Sequence, residues 1–333
     1  MAHAVETMMY SGQVPWHGLG NAVTSNLPWD DAIVAAGLDW DVNRVPLYLA
    51  DGTVVPDAAA MVRATDGMYY GTVGSKYAKV LNREAFGTFH HIFGDASVLH
   101  TAGSLHDGRV VWGLAEIPGE WTIGNDKHKR YLLVTTTHDG SGALRVYPTA
   151  VRVVCNNTLA ASKGDAKSGI AIRHRGDAVG RLKEKAMVLA DSLGWFGRYQ
   201  EDCTRLLNTI INKEQSRELV SELLNADSTQ GKRAIDLILD LASNGAGNRA
   251  VAGTAYGLFQ GVTDYVDHAR QPGQSGEARM ANVTLGSGAA LKARALELFL
   301  EQAPVATPTA VTPSAPVIGP LSDLFSGTMA IAD

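Results

Sequence analysis

The stretch YLLVTTTHDGSGALRVYPTAVRVVCNNTLAAS, from Tyr131 to Ser162, carries the strongest structural pattern in the chain. Its first seven residues, Tyr131 to Thr137, are β-branched, aromatic or leucine, which is typical of a strand. Asp139 to Gly142 form a cluster of turn residues, and Ala143 to Tyr147 return to the strand composition. The pattern predicts a β-hairpin.

The second half of the stretch predicts the end of a strand and the start of a helix. Pro148 is expected to end the second strand, because proline has no backbone N–H to donate. Asn156 and Asn157 are suited to cap a helix whose first turn is the following TLAAS. The charged Arg152 interrupts an apolar run, so it is either salt-bridged within the fold or directed at a ligand.

The flanking segments extend this pattern into a meander followed by helices. Two earlier hairpins are predicted at the turns Asp51-Gly52 and Asp66-Gly67, and an apolar stripe predicts a helix over Asn82 to Phe93. Strand patterns return from Ser97, and helical spacing prevails from Ala178 to Glu301. We expect an α+β fold in which an antiparallel meander sheet is backed by helices, with a helical C-terminal half and a disordered C-terminal tail.

These patterns divide the chain into three parts. A mixed, β-rich domain is expected over residues 1–165, and a mainly helical region that packs on it over 166–302. Residues 303–333 begin with a segment rich in Pro, Thr and Ala, which has no charge and no period, so we expect an extended tether ending in a short terminal peptide.

The composition is that of an ordinary globular protein, with 45% hydrophobic and 19% charged residues in 333. No window reaches eighteen consecutive apolar residues, and the N-terminus lacks the basic start and apolar centre of a signal peptide. Cys155 and Cys203 have no metal-ligand spacing, and each is expected to pack as a small apolar side chain. A cytoplasmic protein with no membrane partner is expected.

Positive charge is concentrated in the middle of the chain. Residues 126 to 185 contain twelve Lys and Arg against five Asp and Glu, whereas the whole chain has a net charge of −5. A basic segment of this kind in an otherwise acidic protein is what an anion-binding face requires. The alternative is that these charges are scattered over several faces after folding.

Several segments together resemble one known family. The run VRVVCNNTL, preceded by HDGSGALRV, resembles the signature of the phage/plasmid-like protein family, domain of unknown function 932, which is found in phages, prophages and plasmids. Further segments fall in the order of that family: PWHGLG (15–20), AGLDWDV (36–42), VGSKY (73–77), AGSL (102–105), VVWGLA (110–115), IRHRGD (172–177) and GLFQGVTDYVDH (257–268). The resemblance implies a mobile element in a host-cell cytoplasm and supplies few catalytic residues.

The basic segment favours single-stranded DNA as the ligand. Cations that follow the backbone and aromatic side chains that stack on bases are what such a ligand requires. The order of a meander followed by a helix also resembles single-strand annealing recombinases, which suggests replication or annealing by a homo-oligomer. The candidate nucleic-acid-binding residues are Lys127, Lys129, Arg130, Arg145, Tyr147, Arg152, Arg173, Arg175 and Arg181.

Evidence for catalysis in the sequence is weak. His138 beside Asp139, and His174 between two arginines, are the best titratable candidates, but neither has a partner at a recognisable spacing. Asp264, Asp267 and His268 could hold a divalent ion, although solvated groups at a helix end are the favoured interpretation. No cofactor and no catalytic residue is assigned, and the enzyme class is left open.

A second functional class is an interaction protein that acts on host machinery. Leu324 and Phe325 are apolar residues near the end of the tail, and residues 321–325 resemble the short peptide by which bacterial replication proteins bind the sliding clamp. Leu321 stands where that peptide usually has glutamine. Trp16 and His17, in a stiff turn, are the other candidate contact or else plug the end of a core.

Overall fold

The computed structural model describes residues 5–11, 20–93, 98–152, 158–160, 169–186, 189–225, 228–270, 282–283 and 286–303. Within these ranges the chain has mixed α+β architecture, as expected, with two sheets and a helical C-terminal half. The predicted contact residues Trp16 and His17, and the C-terminal tail with Leu324 and Phe325, lie outside the described residues.

Strands occupy most of the first half of the described chain. They are β1 (Val5–Ser11), β2 (Asn21–Val23), β3 (Leu27–Pro28), β4 (Val42–Tyr48), β5 (Val54–Arg63), β6 (Tyr69–Gly74), β7 (Val98–Leu105), β8 (Val110–Ile123), β9 (Asp126–Thr137), β10 (Leu144–Arg152), β11 (Thr158–Ala160) and β12 (Ile170–Ile172).

The larger sheet has the strand order β11-β10-β9-β8-β7-β1-β2, with β12 also beside β10 and β3 also beside β7. Its pairs are antiparallel except for β1 and β2, so the predicted meander of β7 to β10 is confirmed. The central hairpin is confirmed as well, because β9 and β10 pair from Thr135 opposite Arg145 to His128 opposite Arg152.

Two local predictions in the opening stretch are wrong. Strand β10 continues through Pro148, which pairs with Leu132 of β9. On its other side β10 pairs with β12 over residues 144–146 and with β11 over 149–151, so Pro148 falls between two ladders and its missing N–H interrupts neither. Thr158–Ala160, predicted as the first turn of a helix, is strand β11, because the outer edge of β10 offers it a ladder.

The two early hairpins form a separate three-stranded sheet in the order β4-β5-β6. It lies against the end of the larger sheet that carries the tip of the central hairpin. The hydroxyl of Tyr77, which follows β6, donates to the Thr137 carbonyl at 3.1 Å, and the guanidinium of Arg109, in the β7–β8 turn, donates to the Tyr70 carbonyl at 3.3 Å. Gly71 allows this approach, since a Cβ there would come within 2.9 Å of the Asp139 carbonyl oxygen.

The helices begin with a short one between β3 and β4, and a second follows β6 at the residues predicted for it. They are α1 (Trp29–Ala35), α2 (Asn82–Phe93), α3 (Ala178–Ala186), α4 (Leu189–Leu207), α5 (Lys213–Leu224), α6 (Thr229–Asn244), α7 (Ala255–Asp264) and α8 (Ser287–Gln302). A 3₁₀ turn (Asn248–Val251) precedes α7, and a π-helical turn (Tyr265–Ala269) extends it.

One hydrophobic core joins the larger sheet to the helices. Phe86 of α2 packs on β8 at Gly113, where a Cβ would come within 2.3 Å of its ring, and Phe196 of α4 packs edge-on against Trp121 of β8. Helix α7 is buried on all sides. The helices therefore cover one face of the sheet, and the other carries its own cluster of buried side chains: Met8, Leu105, Trp112, Leu114, Tyr131 and Leu133.

In the described part of the chain, no helix has both the length and the apolar composition that a membrane span requires.

Candidate anion-binding site

The site is built on the short segment from β12 to the start of α3. Backbone alternation in this extended segment sends Ile172 and His174 inward, where each is 3% exposed, and leaves Arg173 and Arg175 exposed on the opposite side. The sequence RHR thus places two arginines on one surface because the histidine between them is buried.

His174 anchors this segment to β9 and to the loop that follows β6. Its Nδ1 lies 3.3 Å from the Ala78 carbonyl oxygen, which can only accept, so Nδ1 carries the proton. Its Nε2 then accepts from the Thr136 hydroxyl at 3.1 Å. Tyr77 stacks on the imidazole at 5.1 Å, and the Ala78 N–H donates to the His174 carbonyl at 3.0 Å. Burial lowers the pKa of His174, which keeps this neutral tautomer.

Arg181 of α3 folds back over the same segment. Its Nε donates to the Asp177 carbonyl at 3.2 Å, and its Nη2 donates to the carbonyls of Arg173 and Arg175. The Asp177 side chain is engaged in the helix start, where it accepts from the Gly180 N–H at 2.7 Å. These bonds fix the plane of the Arg181 guanidinium and leave its Nη1 without a hydrogen bond to any described residue.

A pocket of about 310 Å³ opens beside this segment. Among the residues that the structure describes, its lining contains four cations and no carboxylate: Ala171, Ile172, Arg173, Arg175, Arg181 and Lys185. Arg181 and Lys185 are four residues apart on α3, so they lie on the same helical face. None of the four cations forms an ion pair with another residue that the structure describes. The pocket is therefore a concentration of positive charge suited to an anion.

Arg145 extends this positive surface. It lies directly opposite Ala171 in the β10–β12 pair, so their side chains share a face and their Cβ atoms are about 5 Å apart. Tyr147 follows two residues later on the same face but is buried, and burial raises the pKa of its hydroxyl. A Cβ at Gly169 would come within 2.2 Å of the Tyr147 ring, so this ring is packed within the protein.

The remaining candidate cations lie elsewhere. Lys129 forms an ion pair with Glu116 at 3.1 Å. It lies opposite Val151 of β10, which is six residues from Arg145, so Lys129 and Arg145 are about 20 Å apart along the strand. Lys127 lies beyond it and is exposed. Arg130 points to the helix-covered face of the sheet, and burial lowers the pKa of its guanidinium. The side chain of Arg152 lies outside the described residues.

The structure therefore brings together three of the predicted residues, Arg173, Arg175 and Arg181, with Arg145 close by. It adds Lys185, which lies on the polar surface of the predicted helix but is not among the predicted binding residues. The signal for Lys185 is its helical spacing of four from Arg181 within the helix that is predicted, and found, to begin at Ala178.

The titratable residues considered for catalysis are structural in their contacts. His138 is buried, and its Nε2 donates to the Asn82 side-chain oxygen at 2.8 Å. Asp267 and Lys292 form a buried ion pair at 2.7 Å, and Asp264 accepts from Asn248 at 2.9 Å. Across the ranges that the structure describes, no group of three or more His, Cys, Asp and Glu side chains is placed to hold a metal ion.

Comparison with known proteins gives one match. A family model described as "Domain of unknown function (DUF932)" matches residues 69–296. No curated protein and no solved structure matches this chain.

Proposed function

The chain belongs to the DUF932 family, a domain of unknown function. We propose that it is a phage-encoded single-stranded DNA-binding protein that acts in replication or strand annealing. The observation that carries the proposal is the pocket in which three arginines and Lys185 converge, with no carboxylate among its described lining residues. Phosphates supply most of the affinity of sequence-independent nucleic-acid binding, and arginine matches their geometry with two parallel hydrogen bonds.

A single strand fits this site better than a duplex. The cations line a concave pocket, into which a flexible strand can direct its backbone phosphates, whereas the backbone of a duplex is held at the surface of a stiff rod. The buried ring of Tyr147 offers no stacking surface in this conformation. The proposal therefore rests on phosphate contacts by the pocket and by Arg145, and base stacking is not part of it.

Binding of a fluorescent 30-nucleotide strand, followed by anisotropy, tests the proposal. Each phosphate contact to a single strand contributes about 0.7 log unit to the affinity per decade of salt below 1 M. The double variant Arg173→Ala/Arg175→Ala loses two contacts, so at 0.1 M salt it should bind about 25-fold more weakly, which is about 1.4 log units. The matched control is Lys232→Ala/Arg233→Ala, which removes the same charge from the exposed surface of α6. Absence of binding by the unmodified protein at 0.05 M salt would remove the proposal.

A further inference from the structure

The charge in the pocket exceeds what an internal DNA phosphate can balance. An internal phosphodiester carries one negative charge, whereas a phosphomonoester carries about −1.5 to −2 at pH 7. Among the described residues, four cations and no acidic side chain line the pocket, and none of the four cations is in an ion pair. A more highly charged phosphate is the better electrostatic partner.

The size of the pocket is also suited to a small phosphate-bearing group. A volume of about 310 Å³ lies at the lower limit of small-molecule sites, so a group of nucleotide size fills it. Ala171 is exposed on the same side as Arg173, and its small side chain leaves room beside the cations.

The backbone that carries Arg173 and Arg175 and the guanidinium of Arg181 are held in place before any ligand arrives. His174 fixes the backbone that carries Arg173 and Arg175, and three backbone carbonyls orient Arg181. Pre-organised donors lose less side-chain entropy when they bind an anion. Arg181 Nη1, which makes no hydrogen bond within the described chain, remains available to a phosphate oxygen.

We propose that this pocket binds a phosphomonoester, as found at the end of a DNA strand or on a mononucleotide, in preference to an internal phosphodiester. The proposal deepens the DNA-binding function and rests on it for the strand end as the source of the ligand. The phosphate chemistry can be tested separately with mononucleotides.

The test measures the affinity of the full-length protein for three strands of one sequence, with a 5′-phosphate, a 3′-phosphate or only hydroxyl ends. A further arm competes the labelled strand with thymidine monophosphate or with thymidine. We expect a phosphorylated end to bind at least tenfold more tightly, since one additional charge at 4 Å from a single cation is worth about fivefold even in water. Thymidine monophosphate should compete and thymidine should not.

Variants locate the effect. Lys185→Gln keeps an exposed polar side chain on α3 and should reduce the preference for a phosphorylated end at least threefold, whereas Lys232→Gln on α6 should leave it unchanged. Equal, salt-dependent binding of all three strands would overturn this inference and leave the DNA-binding proposal standing. If thymidine monophosphate competes but the strand with hydroxyl ends does not bind, the inference is supported and DNA binding as the function is overturned.

Discussion

Replacing His138 with glutamine should make the protein less sensitive to acid. The Asn82 amide donates to the carbonyls of Leu38 and Trp40, so its oxygen must accept from His138 Nε2. The proton of the neutral imidazole therefore lies on Nε2, and Nδ1 has no hydrogen-bond partner among the described residues. Glutamine retains an amide donor near the position of Nε2 but does not titrate in this pH range.

The size of the effect follows from the pKa of the folded state. Burial, with a smaller effect of His174, lowers the pKa of His138 from 6.5 to about 3. Below pH 6.5 His138 is protonated in the unfolded chain but stays neutral in the folded chain. The contribution of the neutral His138 to the free energy of unfolding is therefore fully present above pH 6.5 and is lost as the pH falls towards 3. Between pH 6.5 and pH 5 the protonation of His138 in the unfolded state should lower the free energy of unfolding by about 2 kcal/mol, at about 1.4 kcal/mol per pH unit.

Urea unfolding at pH 7.5 and pH 5.0 measures this contribution. The loss of stability between the two values should be about 2 kcal/mol smaller in His138→Gln than in the unmodified protein, whatever the variant's stability at pH 7.5. His90→Gln, at an exposed position of α2, is the control and should lose as much as the unmodified protein. Equal losses in His138→Gln and the unmodified protein would refute the assignment of a buried, neutral imidazole.

Two further predictions concern the core. Lys292→Ala leaves the Asp267 carboxylate buried without its cation and should lower the free energy of unfolding by about 3–5 kcal/mol, as measured by denaturant titration; a loss below 1 kcal/mol would show that the pair is not buried. Gly113→Ala places a Cβ against the Phe86 ring and should destabilise the folded protein by about 1–3 kcal/mol. Gly197 has open space around it in the exposed part of α4, so Gly197→Ala should stabilise the folded protein by about 0.5–1 kcal/mol. Melting temperatures that move in the same direction for both glycine variants would contradict this packing.

The elements predicted correctly are those specified by local signals. The turn residues between β9 and β10 and the apolar stripe of α2 depend on neighbours within the same segment, and both elements form as expected. Pro148 and Thr158–Ala160 were mispredicted because their conformation depends on distant partners along the edge of β10. A sequence pattern does not reveal which strand lies beside which.

The same distinction holds for the site. Arg173 and Arg175 could be selected from the sequence because they belong to the basic segment of residues 126–185. The direction of Arg130 could not be predicted, since residues 131–137 are buried on both faces of the sheet and their pattern does not tell the faces apart. Only the helices packed on one face show that Arg130 lies beneath them, away from Lys129.

The salt dependence of binding to a single strand tests the central claim most directly. If the four pocket cations and Arg145 contact phosphates, the logarithm of the affinity should fall with the logarithm of salt at a slope of about −3.5, and at about −2.1 in Arg173→Ala/Arg175→Ala, at about 0.7 per contact. An unchanged slope in the double variant would contradict the claim that this pocket holds the DNA backbone.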